Sequence, residues 1–245
     1  MSASGESVSG RVKPGVMFGV GVGPGDAELI TLKAARLIGA AQVVAYPALP
    51  GRESLAREIA APLLPGVFEE LRIEVPMTAE RAPAQAAYDA GAARIAEVLE
   101  RGRDVVFLCA GDPLFYGSFM YLQARLCGRF AVRAVPGVAS PMAAAAAAGL
   151  PLAARDEVLT MLPATLDDAA LRERLQLCDS AAIMKVGRHL ARLRALLDDM
   201  GLTARAHYVE RAAMAGEVIR PLAEAPDAAP YFSMILVMKG ADPWL

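Results

Sequence analysis

The chain has 245 residues, 55% of them hydrophobic, with a mean hydropathy of +0.36 and a formal net charge of −2. That length buries one large core or two small ones, and that charge offers no general attraction to a nucleic-acid backbone. Apolar runs are broken by Arg, Asp, Pro or Gly before the ~18 residues of a membrane span, and "MSASGESVSGRVKPG" lacks the apolar block of a secretory signal, so a soluble cytoplasmic protein is expected.

Along the chain, short β-branched or apolar runs alternate with amphipathic helical runs, the pattern of an α/β protein built on a largely parallel sheet with covering helices. In the first half, strands are expected at Val16–Val22, Gln42–Tyr46, Phe68–Val75, Asp104–Cys109 and Phe130–Val135. Helices are expected between them at Glu28–Ile38, Ser54–Leu63, Ala84–Arg101 and Ser118–Leu126. "PGVASPMAAAAAAGLPL" then reads as a tight turn and a thin alanine-rich helix closed by Gly149 as its C-cap. The second half offers strands at Glu157–Leu162, Ser180–Val186, Ala204–Glu210 and Phe232–Met238, with helices near Leu166–Leu175 and Arg188–Met200. These elements divide into a disordered tail over residues 1–15, an N-terminal domain over 16–136 and a C-terminal domain over 137–245.

"GVGVGPGD", Gly19 to Asp26, stands where a phosphate loop would lie. A dinucleotide fingerprint needs glycine at its first, third and sixth positions and an acid about 20 residues on. From Gly19 the sixth position is Pro24, from Gly21 it is Asp26, and "AQVVAYPA" follows where the acid belongs. Asp26 is suited to capping the helix near Glu28 and unsuited to a pyrophosphate. A nicotinamide oxidoreductase is thereby disfavoured, and a ligand-free strand-to-helix turn stays open. "FLCAGDPLFYGSFMYL" also leaves a strand and turns through Gly111, Asp112 and Pro113, and Asp112 reads equally as a helix cap. The first, fourth and fifth strands thus end in the special loops "GPGD", "AGDPLF" and "PGVAS". Ligands of parallel α/β sheets bind at carboxyl strand ends, so the three loops define one candidate site.

Cys109, Cys127 and Cys178 are too scattered for a metal-ligand pair or a disulfide scaffold, and His189 and His207, the only histidines, exclude a three-His metal site. No metal is expected, and His207, inside a strand pattern, reads as structural.

In "GVGPGD", "GDPLFYGS", "VPGVAS" before an alanine-rich helix, and "IMKVGR", in that order and spacing from about Val16 to Gly240, the chain resembles the tetrapyrrole methylases. Members of this family use S-adenosylmethionine to methylate carbons of corrin and porphyrin-type macrocycles, with relatives acting on a modified protein histidine or on ribosomal RNA. "GDPLFYGSFMYL", "PLAARDEVLTMLPAT", "MKVGR" and "YVERA" are most similar to members that methylate the bridging carbon C20 of precorrin-2. Sibling members act on cobalt-factor II or on other ring positions. The resemblance implies two α/β domains with the cofactor cleft between them, a homodimer, and S-adenosylhomocysteine as product. Because the chain has no Lys/Arg cluster that would make a continuous basic face and no uninterrupted apolar span, neither nucleic acid nor membrane is expected as partner. A non-catalytic binder of tetrapyrrole or nucleotide is the reading from another class.

Carried over by position, the family's cofactor pocket falls on Pro24, Ala110, Gly111, Asp112, Phe115, Ala139, Ser140, Met184, Ala212, Ser233 and Met234. Asp112 would lie near the sulfonium charge, while Met184 and Phe115 would line the adenine and sulfonium region. Met184 also reads as an ordinary core strand residue. A polycarboxylate macrocycle requires local cations, for which Arg52, Arg72, Arg155, Lys185, Arg188 and Arg211 are candidates because each flanks a loop or strand end. Taken singly, each is also an ordinary solvated surface cation. Tyr116 and Glu210 are rim candidates for moving a proton. Siroheme-forming members carry an acid after the second strand, but here the chain reads "AYPAL", and Pro47 cannot act as a base.

Overall fold

The computed structural model describes residues 12–78 and 80–240. Most of the tail expected over residues 1–15 lies outside the described residues, and residues 12–15 carry no regular structure. Among the described residues, strands and helices alternate as the patterning predicts as far as residue 210, and the chain divides into two compact units. One comprises the residues up to Val22 together with Ile30–Gly137, and the other Gly23–Leu29 together with the chain from Val138 onward.

The first unit runs β1 (Val16–Gly21), α1 (Leu32–Gly39), β2 (Val43–Ala48), α2 (Leu55–Ala60), β3 (Glu69–Glu74), α3 (Ala82–Glu100), β4 (Val105–Cys109), α4 (Phe119–Leu126) and β5 (Ala131–Val135). Its sheet has the order β3-β2-β4-β1-β5, with every pair parallel. The helix expected to begin at Glu28 instead begins at Leu32. Thr31 caps it by accepting the N–H of Ala34, and a separate 3-10 turn covers Ala27–Leu29. On one sheet face Met17, Val43, Ala45, Leu71, Val105 and Phe107 pack with Ile95 and Leu99 of α3 and Phe119 and Leu122 of α4. Each such large side chain, fully buried, contributes about 1.5–3 kcal/mol.

The second unit adds α5 (Ser140–Ala148), β6 (Leu159–Pro163), α6 (Asp168–Leu177), β7 (Ser180–Met184), α7 (Leu190–Asp199), β8 (Ala206–Glu210), β9 (Val218–Pro221) and β10 (Ser233–Met238). Strand order is β6-β7-β10-β8-β9, and only β6 and β7 are parallel. The largely parallel expectation fails in this sheet because β8, β9 and β10 are joined without a crossover helix, which leaves antiparallel pairing as the available geometry. Leucines 171 and 175 of α6 and 190, 193 and 197 of α7 cover one face, at helical spacing. Ala143, Ala144 and Ala145 of α5 pack on Ala182, Val209, Met234 and Leu236 of the other. Gly149 ends α5 in the left-handed conformation, φ 65°, as its C-cap reading requires.

Candidate functional site

In the first unit the sheet order places β4, β1 and β5 side by side and parallel, so their carboxyl ends lie together at one edge. Backbone packs directly on backbone there. A methyl group on Gly21 would stand 2.6 Å from the Gly111 carbonyl oxygen and 2.6 Å from the Gly137 nitrogen, and one on Gly137 would overlap the same Gly111 oxygen. Asp112 ties the arrangement together. One carboxylate oxygen accepts the N–H of Leu114 at 2.9 Å and the other accepts the N–H of Gly137 at 3.1 Å. Ala110, Gly111 and Asp112 therefore sit in a loop of fixed shape. Phe115 follows, in edge-to-face contact with the Tyr116 ring at 5.0 Å. Tyr116 itself has φ 54°, a conformation that costs a non-glycine residue about 1–2 kcal/mol.

Arg52 is exposed on the loop between β2 and α2. Its neighbour in expectation, Arg72, is used by the fold instead. The Arg72 guanidinium pairs with Glu74 at 3.1 Å and donates to the carbonyls of Leu49 and Arg52 at 3.2 and 2.7 Å, so it clamps that loop.

In the second unit, Pro24 lies in a turn that packs against the residues after β8, where a methyl on Gly25 would collide with Met214 and with the Ala213 carbonyl. Gly25, Asp26, Ala27, Ala213, Met214 and Glu217 line an open groove at that place. Asp26 caps its own turn by accepting the N–H of Glu28 at 2.8 Å, and Glu217 accepts that of Ala213 at 2.7 Å. Met184 ends β7 directly opposite Met234 of β10, and Ser233 stands opposite Glu210 of β8. Ala212 and Met234 belong to one apolar cluster with the alanines of α5, the helix that opens with Ala139 and Ser140.

Lys185, Arg188 and Arg211 all follow the carboxyl ends of β7 and β8 at this same edge, and all are exposed. Lys185 (φ 60°), Arg211 (φ 51°) and Ala213 (φ 58°) are left-handed there, so strain gathers at the turns that carry the candidate residues. Arg155, also left-handed at φ 47°, does not join them. It precedes β6 on a stretch held by bonds from the Ser180 hydroxyl to the Leu152 carbonyl and from the Val158 N–H to Asp179, at the amino ends of β6 and β7. Glu210 accepts the Tyr208 hydroxyl at 2.8 Å and faces the Arg211 guanidinium at 3.6 Å. Burial, and then that carboxylate, push the Tyr208 hydroxyl far up and keep it protonated. His207 lies in β8, with its Nδ1 buried and unpartnered. Among the described residues no group of three His, Cys, Asp or Glu is placed to hold a metal ion, and no helix is long and apolar enough to cross a membrane.

One feature escaped the sequence reading. Tyr231 and Phe232, just before β10, are 53% and 45% exposed and meet edge to face at 5.1 Å. In sequence, Phe232 reads as the first residue of an apolar strand, and only the start of β10 at Ser233 leaves it uncovered.

An all-parallel five-stranded sheet with glycine-tight carboxyl-end loops, followed by a mixed five-stranded sheet, is the architecture of a two-unit α/β methylase. The chain belongs to the Tetrapyrrole (Corrin/Porphyrin) Methylases, whose family model matches residues 16–226. It is 43% identical over 232 residues to the Precorrin-2 C(20)-methyltransferase of Sinorhizobium sp, covering 91% of this chain and 95% of that one. It is also 46% identical over 237 residues to the Cobalamin biosynthesis protein CobIJ of Mycobacterium tuberculosis, covering 92% of this chain but only 46% of the relative, so it spans about half that protein's length. Among solved structures, the uroporphyrin-III C-methyl transferase of Thermus thermophilus complexed with S-adenyl homocysteine superposes with a TM-score of 0.63 at 25% identity, covering 91% of this chain and 97% of that one.

Proposed function

We propose that the chain is an S-adenosylmethionine-dependent C-methyltransferase that methylates C20 of precorrin-2 to give precorrin-3A in cobalamin biosynthesis, acting as a cytoplasmic homodimer. The observation that carries this reading is the end-to-end similarity to the Sinorhizobium relative, which spans 91% of this chain and 95% of that one and leaves no large segment of either unmatched.

The residues present fit the cofactor. A sulfonium ligand without phosphates needs close backbone and apolar walls rather than a cationic cradle. The loops offer glycine backbone at Gly111 and small or thioether side chains at Ala110, Ala139, Ala212, Met184 and Met234. Ala110, Gly111, Asp112 and Phe115 of the first unit, and Pro24, Ala139, Ser140, Met184, Ala212, Ser233 and Met234 of the second, are the residues proposed to hold it. When bound, S-adenosylmethionine supplies an activated methyl group. The chain itself supplies alignment and dryness. Fixing two reactants in a near-attack geometry is worth up to about 7–11 kcal/mol, and loops locked by glycine packing and the Asp112 bonds are suited to that task. Arg52, Lys185, Arg188 and Arg211 are proposed to hold the substrate's carboxylates, with Arg155 set apart from the last three by its place at the other end of the strands. Glu210 and Tyr116 are the candidates for taking the proton from the methylated carbon.

The test is incubation with methyl-labelled cofactor and precorrin-2, followed by mass spectrometry and carbon NMR of the product. A label on the C20 bridge is the expected result. A label on a pyrrole carbon moves the chain to a sibling activity, and no transfer at all defeats the proposal.

A further inference from the structure

The aromatic pair before β10 is held among the turns that carry the second unit's cations. The Arg211 N–H donates to the Phe232 carbonyl at 2.8 Å, which continues the β8–β10 ladder by one rung and puts Phe232 directly across from Arg211. On the other flank the Gly187 N–H donates to the Ser233 hydroxyl at 3.2 Å, and that hydroxyl donates to the Pro230 carbonyl at 2.7 Å. The Lys185–Arg188 turn and the Tyr231–Phe232 segment are therefore fixed side by side. Alternation along β10 puts Phe232 in line with Met234 and Leu236. Phe232, which continues that buried row at this end, is thus an exposed ring, and Tyr231 meets it edge to face.

Two rings half open to solvent meet here at 5.1 Å centroid separation. They stand next to backbone at Lys185 and Arg211 that is held in strained, left-handed geometry. Strain of this kind persists only where surrounding contacts over-determine it, and here it sets the direction in which two cationic side chains leave the turns. A flat conjugated face beside carboxylate partners is the complement of such a surface. Aromatic rings meet the first, and the guanidinium groups of Arg188 and Arg211 with the Lys185 ammonium meet the second.

We infer that Tyr231 and Phe232 form the ring-stacking part of the surface that receives the proposed tetrapyrrole substrate, beside Lys185, Arg188 and Arg211. The inference rests on the methyltransferase reading and adds to it the residues that recognise the macrocycle's face. It separates substrate recognition from cofactor binding, because the side chains of Tyr231 and Phe232 are not among those proposed for the cofactor.

The experiment compares the full-length wild type with the double variant Tyr231→Leu/Phe232→Leu, which keeps apolar bulk and removes the rings, and with Arg211→Gln. Uroporphyrin III, a stable octacarboxylate tetrapyrrole, is the probe, followed by its fluorescence. S-adenosylhomocysteine binding is followed by calorimetry and oligomeric mass by light scattering. The double variant is expected to bind the porphyrin about tenfold or more weakly, since each lost aromatic contact is worth roughly half to one decade. Its S-adenosylhomocysteine affinity is expected to stay within about twofold of wild type, with unchanged mass. Arg211→Gln is expected to flatten the salt dependence of porphyrin binding. Porphyrin affinity unchanged in the double variant overturns the inference, and so does a drop in oligomeric mass, which would identify the rings as a subunit contact. A wild type that binds S-adenosylhomocysteine but no tetrapyrrole overturns the inference together with the substrate reading, whereas a wild type that binds both while the double variant also binds both sinks the inference alone.

Discussion

The carboxylate of Asp112, in the loop after β4, accepts the backbone N–H of Gly137, after β5, at 3.1 Å, while its second oxygen closes its own turn on Leu114 at 2.9 Å. The two loops are thus set by one side chain. Asp112→Ala is expected to weaken S-adenosylmethionine and S-adenosylhomocysteine by the same factor, about tenfold, because charge-assisted hydrogen bonds of this kind contribute about 1.5–3 kcal/mol and their loss disturbs loop shape for both ligands. Asp112→Asn, which keeps one acceptor oxygen, is expected to fall between. Calorimetry with the two ligands decides the matter. Loss confined to the cationic ligand would assign Asp112 to charge pairing with the sulfonium.

Gly137→Ala is expected to destabilise the chain by about 1–3 kcal/mol, because the added methyl meets the Gly111 carbonyl oxygen and the Gly21 backbone, neither of which can rotate away. Gly128→Ala is the control, since nothing lies within 4 Å of the methyl it would carry. Urea midpoints of the two variants should therefore separate clearly, and equal midpoints would contradict the packing described.

Ala213, at φ 58°, holds a conformation that glycine adopts without steric cost. Ala213→Gly is expected to raise stability by about 0.5–1 kcal/mol, a shift of roughly 2–4 °C per kcal/mol in the melting temperature of a chain of this size. A lower melting temperature would mean that the strained geometry is not the one populated in solution.

Glu70 on β3 accepts the hydroxyl of Tyr46 and pairs with Arg57 at 2.9 Å. The bond from Arg57 is the main cause that holds its carboxyl below the ordinary value of 4.5, with the Tyr46 hydroxyl assisting and burial opposing. A depressed carboxyl stabilises the fold fully above the unfolded value and loses that contribution as pH falls through the folded one. Both side chains are about a third exposed, so screening limits the effect to about 0.5–1 kcal/mol. Glu70→Gln should consequently lower the urea midpoint at pH 7, with the gap to wild type closing as pH falls below 4.5 and through the lowered folded value. A gap that persists at low pH would assign the loss to packing rather than to charge.

The strands were legible wherever a β-branched or apolar run ended in Gly, Pro or Asp, as at β1, β4 and β5. β9 was not, because Val218–Pro221 is a four-residue edge strand whose proline removes a donor and breaks the pattern. The close packing of Gly21, Gly111 and Gly137 at the carboxyl ends of β1, β4 and β5 could be anticipated from the glycines there, but the service of Arg72 to the β2–α2 loop could not. A strand-end cation looks the same in sequence whether it turns outward to a ligand or back onto carbonyls. The exposure of Phe232 was likewise invisible, since hydropathy reports what a side chain prefers and not where its strand begins.

The segment Gly23–Leu29 groups with the second unit although the chain around it belongs to the first. A protein cut after Gly137 would carry Gly25 without the Met214 and Ala213 it abuts, and the complementary piece would lack the turn that covers them. Genetic exchange at that apparent seam would yield two incomplete halves, so the pair should be inherited, fused and engineered as a single cassette.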